Sequence, residues 1–230
     1  MTEYASHDTD YAAVVEREPG DILSRNLRVA AYLWSSATAF FFVAFLFAYF
    51  YLKSLNSDHQ WKPKGVSLPT GWGTAVVVCV VVSAVLVAWG SVDQKADRRP
   101  LWRLKGLVAL VLMLVAVILQ IVAWTHAGFG PTNGGLASVF FGWTSLYVLF
   151  VVGSMFWLET ILATSFRYRN EPFRGAKVEP GDAAGDADRQ GQDIENPVDL
   201  NIAELSAFTQ YWAIVAGIGV LTWLLLYLIS

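Results

Sequence analysis

Five long apolar runs separated by polar segments organise this chain, at about residues 27–52, 73–90, 106–124, 136–162 and 206–229. Each has 18 or more residues, enough to cross a hydrocarbon layer about 30 Å thick as a helix. The predicted fold is all-α and integral to a membrane, with five transmembrane helices. The first run is dense in aromatics: Trp34, Phe40, Phe41, Phe42, Phe45, Phe47, Tyr49, Phe50 and Tyr51, closed by Lys53. The second is rich in Val and interrupted only by Thr74, Cys79 and Ser83. The fourth contains Glu159, and the fifth carries no charge from Ser206 to Ile229.

The polar segments complete the layout. Residues 1–26 are a polar, acidic tail with no signal-peptide pattern, ahead of a membrane domain at 27–230. A basic loop with Lys95, Arg98, Arg99, Arg103 and Lys105 joins runs two and three, and an uncharged Gly, Pro and Asn loop joins runs three and four. Between runs four and five, residues 178–198 are rich in Asp, Gly, Ala and Gln, with few apolar residues. That composition predicts disorder. An odd number of spans puts the termini on opposite sides. Thirteen of the 16 Lys and Arg fall in the tail, the loop after run two and the loop after run four. The positive-inside rule then predicts an inside N-terminus and an outside C-terminus. Trp61, Trp72, Trp102, Trp124 and Trp212 lie near run ends and fit an interfacial belt.

Composition narrows the function. The chain is 55% hydrophobic and only 15% charged, against roughly 25% charged in soluble domains. No basic patch suits a nucleic acid. A lone cysteine, Cys79, allows neither a disulfide framework nor a CxxC metal site within one chain.

Redox and proton chemistry inside a bilayer needs particular side chains. Haem takes an axial His, Met or Cys, copper favours His, Cys and Met, and a proton relay needs Asp, Glu or His within the spans. The histidines are His7, His59 and His126, all outside the runs or at their edges. The expectation is a chain with no catalytic residue and no cofactor or metal of its own. Glu159 is the only carboxylate in a run, hence a functional candidate by default. The plainer reading, favoured here, is an interfacial Glu that is solvated or paired with Arg167 or Arg103. Gln120 and Trp124 share one face of the third helix, with Gln120 able to bond a neighbouring helix and Trp124 able to anchor an interface. Thr38 can bond its own backbone. Ala213 and Gly217 form a small-xxx-small pair that permits close packing. His126 reads as interfacial rather than metal-binding. No Ser-His-Asp set, phosphate loop or dinucleotide fingerprint is present.

The order of motifs resembles subunit III of the haem-copper oxidases, in its shorter five-helix form. The first run ends Phe47-Ala48-Tyr49-Phe50-Tyr51-Leu52-Lys53, similar to the family's Ala-Tyr-Phe-Tyr-Leu-Arg. Gln120 and Trp124 match a Gln-x-x-Glu-Trp ending, and Phe140-Phe141 with Thr144 match the start of a Thr-Gly-Phe-His-Gly-Leu-His-Val helix. Tyr211-Trp212-Ala213-Ile214-Val215-Ala216 matches the frame of Tyr-Trp-His-Phe-Val-Asp. The polar members differ: Thr38 falls near the family's helix-one Glu, Tyr147 and Phe150 near its two histidines, and Ala213 and Ala216 at its last His and Asp. In the family these groups line a cleft associated with lipid. The candidate polar and lipid-cleft positions are therefore Glu159, Gln120, Thr38, Trp124, Tyr147 and Trp212.

The resemblance implies a non-catalytic accessory subunit of a bacterial inner-membrane respiratory complex. It would pack against oxidase subunits I and II, which hold the haem and copper, bind phospholipid and sustain proton uptake and turnover. A close variant is the subunit-III-like partner of nitric oxide reductase. A scaffold or assembly protein, or a small transporter, is a different class; transport would need a polar pathway at the midplane, which the runs scarcely provide.

Overall fold

The computed structural model describes residues 20–55, 61–63, 66–170 and 197–229. The helices are α1 (Gly20–Ser54), α2 (Thr70–Lys95), α3 (Arg99–Thr125), α4 (Gly135–Arg167) and α5 (Pro197–Trp223), and α5 runs on into a π-helical turn, Leu224–Leu228. No strand occurs among the described residues. All five helices are long and apolar enough to cross a membrane. The acidic segment 178–198 lies outside the described residues except for its last two positions, which begin α5.

Every helix extends beyond its apolar run. α4 has 33 residues, about 50 Å at 1.5 Å per residue, so its ends project past a hydrocarbon core of about 30 Å. The expected basic loop after run two is largely helical. Only Ala96–Arg98 separate α2 from α3, and the reason is local. Asp97 adopts a left-handed backbone with φ of 56°, which Asp tolerates better than most residues. The Arg98 N–H donates to Asp93 O at 2.8 Å and the Asp97 N–H to Gln94 O at 3.0 Å, the paired bonds of a Schellman stop. Pro100, in the first turn of α3, starts the next helix.

The helices alternate in direction, so the bundle has two distinct ends. Arg98, Arg99, Arg103, Lys105 and Arg167 collect at the basic end. Lys53, Trp61, His126 and Gly135 lie at the far end. α2 packs along α3 and α5, and α4 against α3 and α5. α1 is peripheral, lying on α5 and touching α4. Trp102, Trp143, Trp212, Phe140, Phe208 and Tyr49 are the largest fully buried side chains. The tryptophan belt is corrected accordingly. Trp72 is exposed and Trp124 half-buried, as a belt requires. Trp61, Trp102 and Trp212 instead fill the interior. Gly90 and Gly106 leave space that the Trp102 ring occupies, and Gly135 leaves it for Trp61.

Candidate functional site

In hydrocarbon, polar side chains are retained where another helix can satisfy them. Three such ties share one design. An indole N–H on one helix meets a hydroxyl on another, and that hydroxyl donates to a carbonyl of its own helix. Trp124 Nε1 reaches Thr144 Oγ1 at 2.9 Å, and Thr144 donates to Phe140 O at 2.6 Å. Trp212 Nε1 reaches Ser83 Oγ at 3.1 Å, and Ser83 donates to Val80 O. Trp223 Nε1 reaches Thr74 Oγ1 at 3.0 Å, and Thr74 donates to Thr70 O. Tyr147 adds a fourth tie, donating to Val215 O at 3.2 Å. Its hydroxyl occupies space that only a glycine at 219 leaves open.

The π-turn serves α1. Ile229 N–H bonds Leu224 O, a register that leaves Leu225 O without that N–H. Tyr49 of α1 donates to Leu225 O at 3.2 Å, and Lys53 Nζ to Ile229 O at 2.9 Å.

The basic end is clamped by a denser set. Buried Asp93 on α2 pairs with Lys105 on α3 and with Arg98 at 3.3 Å. Gln94 Nε2 donates to Asn201 Oδ1 at 2.6 Å, and Asn201 Nδ2 to Ile161 O at 3.0 Å, so one amide joins α2, α4 and α5. Arg103 donates to the Ser165 carbonyl and hydroxyl and lies over the Phe166 ring. Trp157 Nε1 donates to Glu204 Oε1 at 3.1 Å.

A groove of about 810 Å³ opens between α1 and α4, in the basic half. Its walls are Leu27, Ala30, Ala31 and Trp34 of α1 and Leu149, Phe150, Gly153, Phe156 and Trp157 of α4, with Tyr211 of α5. It is bounded by an aromatic knot nearer the far end. Phe42 meets Phe150 at 5.4 Å, Trp143 at 6.2 Å and Tyr147 at 6.2 Å between ring centroids. The volume falls in the usual range of ligand sites, roughly 300–1,000 Å³, and an apolar lining suits an apolar occupant.

The candidate residues scatter relative to this groove. Gln120 and Tyr147 meet beside a small cavity together with Thr144, to which Trp124 is bonded. Trp212 is buried, stacked on Phe208. Thr38 is buried and donates to Trp34 O at 2.9 Å. None of these lines the groove. Glu159 is exposed on the outer side of α4. Of the two expected readings, solvated or paired with Arg167 or Arg103, the paired one is not seen: Arg103 donates to Ser165 and Arg167 lies over Tyr168. Ala213 and Gly217 also face outward; the close packing on α5 is at Gly219 instead. The sequence reading passed over Asp93, Asn201 and Glu204 because it ended the runs at Gly90 and began the last at Ser206. Their helical register relative to those runs was the available signal.

His126 is the one histidine among the described residues; it is exposed, and its Nδ1 lies 2.9 Å from Val122 O. Cys79 stands alone, and no three of His, Cys, Asp and Glu come together among the described residues.

An all-helical bundle of five helices long and apolar enough to cross a membrane, joined by cross-helix hydrogen bonds and, at the basic end, an ion pair, defines a multi-pass membrane protein. A family profile described as cytochrome c oxidase subunit III matches residues 12–175, and the chain belongs to that family. The matched residues run through α4 and end before α5. Among curated proteins, none matches the chain.

Proposed function

We propose that this chain is a non-catalytic accessory subunit III in a bacterial inner-membrane respiratory oxidase. It packs on subunit I, with subunit II in the same complex. Haem and copper belong to those partners. Its own task is to hold phospholipid and to sustain proton uptake and turnover by the complex. Its basic end faces the cytoplasm, in accord with the positive-inside rule.

The observation that carries this reading is the family match over residues 12–175. The α1–α4 groove supports the lipid part: it has room for an acyl chain and is walled by apolar and aromatic groups. The cross-helix polar groups support an accessory role, since Ser83, Thr144, Tyr147 and Asn201 are each engaged in joining helices.

Gly153 gives the test. It lines the groove, and a Cβ there meets nothing within 4 Å, so Gly153→Phe directs a ring into the groove from a site where the backbone accepts a side chain. In the purified complex this variant is expected to retain less phospholipid by lipid-extraction mass spectrometry and to show slower steady-state gas consumption, with subunit content unchanged. Unchanged lipid and rate would remove the groove from the account. Consumption of nitric oxide in place of oxygen would move the chain to the reductase variant.

A further inference from the structure

Among α2, α3, α4 and α5, near the far end, lies a cavity of about 20 Å³ separate from the groove. Its polar lining comes from Gln120, Thr144, Tyr147, Thr222, Trp223 and Tyr227, of which Thr222 already donates to Ile218 O and Trp223 to Thr74 Oγ1. Two of these groups have donors that no described protein group accepts: Gln120 Nε2, on a residue only 3% exposed, and the Tyr227 hydroxyl, itself shut off from solvent. Buried donors are rarely left unmet, and a membrane interior offers no bulk water to meet them.

We propose that this cavity binds one structural water molecule. A water needs about 10–15 Å³ of space and two to four polar partners; the cavity gives room for one and excludes a lipid chain or an organic cofactor. The hydrogen-bond count closes. The water oxygen accepts from Gln120 Nε2 and from the Tyr227 hydroxyl. Its two hydrogens go to the lone pairs left on Thr144 Oγ1 and Tyr147 Oη, whose own hydrogens are given to Phe140 O and Val215 O. The backbone is shaped for it. A Cβ on Gly73 would lie 2.6 Å from the Tyr227 hydroxyl, and one on Gly219 would overlap that of Tyr147, so two glycines seat the two phenols. Tyr227 also sits within the π-turn, a feature common at functional positions. The water joins Gln120 of α3 and Tyr227 of the π-turn to the α4 hydroxyls of Thr144 and Tyr147.

X-ray hydroxyl-radical footprinting of the complex tests this, because bound water generates radicals beside residues that bulk solvent cannot reach. Tyr147, 5% exposed and lining the cavity, is expected to be oxidised several-fold faster than Trp212, which is buried with its indole bonded to Ser83. In Gln120→Leu that rate falls to the Trp212 level. Should this variant fail to assemble, Tyr227→Phe serves, with labelling of Tyr147 as the readout and the same loss expected. Labelling of Tyr147 at the Trp212 level in the unaltered protein, or labelling unchanged by either substitution, would overturn the proposal.

Discussion

α1 and α5 are alike in apolar character, yet the structure uses them differently. In the most apolar 18-residue window, 22% of α1 is buried and 50% of α5. α1 points Phe40 and Phe47 outward at 76% and 71% exposure. α5 turns Phe208, Trp212, Val215 and Leu226 wholly inward. Polar handles make the difference. α5 offers Asn201, Glu204, Trp212 and Trp223 to its neighbours, whereas α1 holds the bundle through Tyr49, Lys53 and the aromatic knot around Phe42. Hydropathy decides that a helix crosses; small residues and hydrogen-bonding side chains decide what it packs against.

Substitutions on the two helices should therefore differ in cost. The largest effect is expected for Trp212→Ala, which empties a fully buried site and removes the indole donor to Ser83 Oγ: a loss of about 3–5 kcal/mol, read by denaturation in mild detergent micelles. Asn201→Leu comes next. It removes bonds to Gln94 and Ile161 and should cost about 1–3 kcal/mol, with the start of α5 becoming protease-accessible before the rest. Phe40→Ala on α1 should change the same denaturation by less than about 0.5 kcal/mol; a loss comparable to Trp212→Ala would erase the distinction between the helices. Smallest of all, Glu159→Gln should leave both stability and steady-state turnover near the unaltered values, since the carboxylate is exposed and unpaired. A large fall in turnover would give Glu159 a part in proton movement.

The five spans were legible in the sequence because bilayer thickness sets a length that few other folds require. Their ends were not. Asp93, Gln94 and Asn201 look like loop residues by hydropathy, but they become helical because neighbouring helices satisfy them. The tryptophans misled for a related reason. Trp102 and Trp212 lie near run ends, where an interfacial ring is expected, yet a glycine notch and a serine hydroxyl draw them inward. Neither partner is adjacent in sequence. Gln120, Thr144 and Tyr147 were singled out individually, on the third and fourth runs. Their convergence with Tyr227 depends on the rotation of four helices and on the π-turn, which periodicity does not encode. The family resemblance was readable from motif order, and the family profile matches residues 12–175.

We propose that this subunit contributes packing and a lipid groove while redox centres reside in its partners. Purification of the tagged chain in mild detergent, with haem absorbance and subunit masses recorded before and after the partners are stripped away, tests it most directly. The account predicts a stoichiometric haem-bearing complex, and a colourless chain once the partners are removed. Stoichiometric haem or copper retained by the isolated chain, or a stable colourless monomer that never associates with a haem protein, would contradict it.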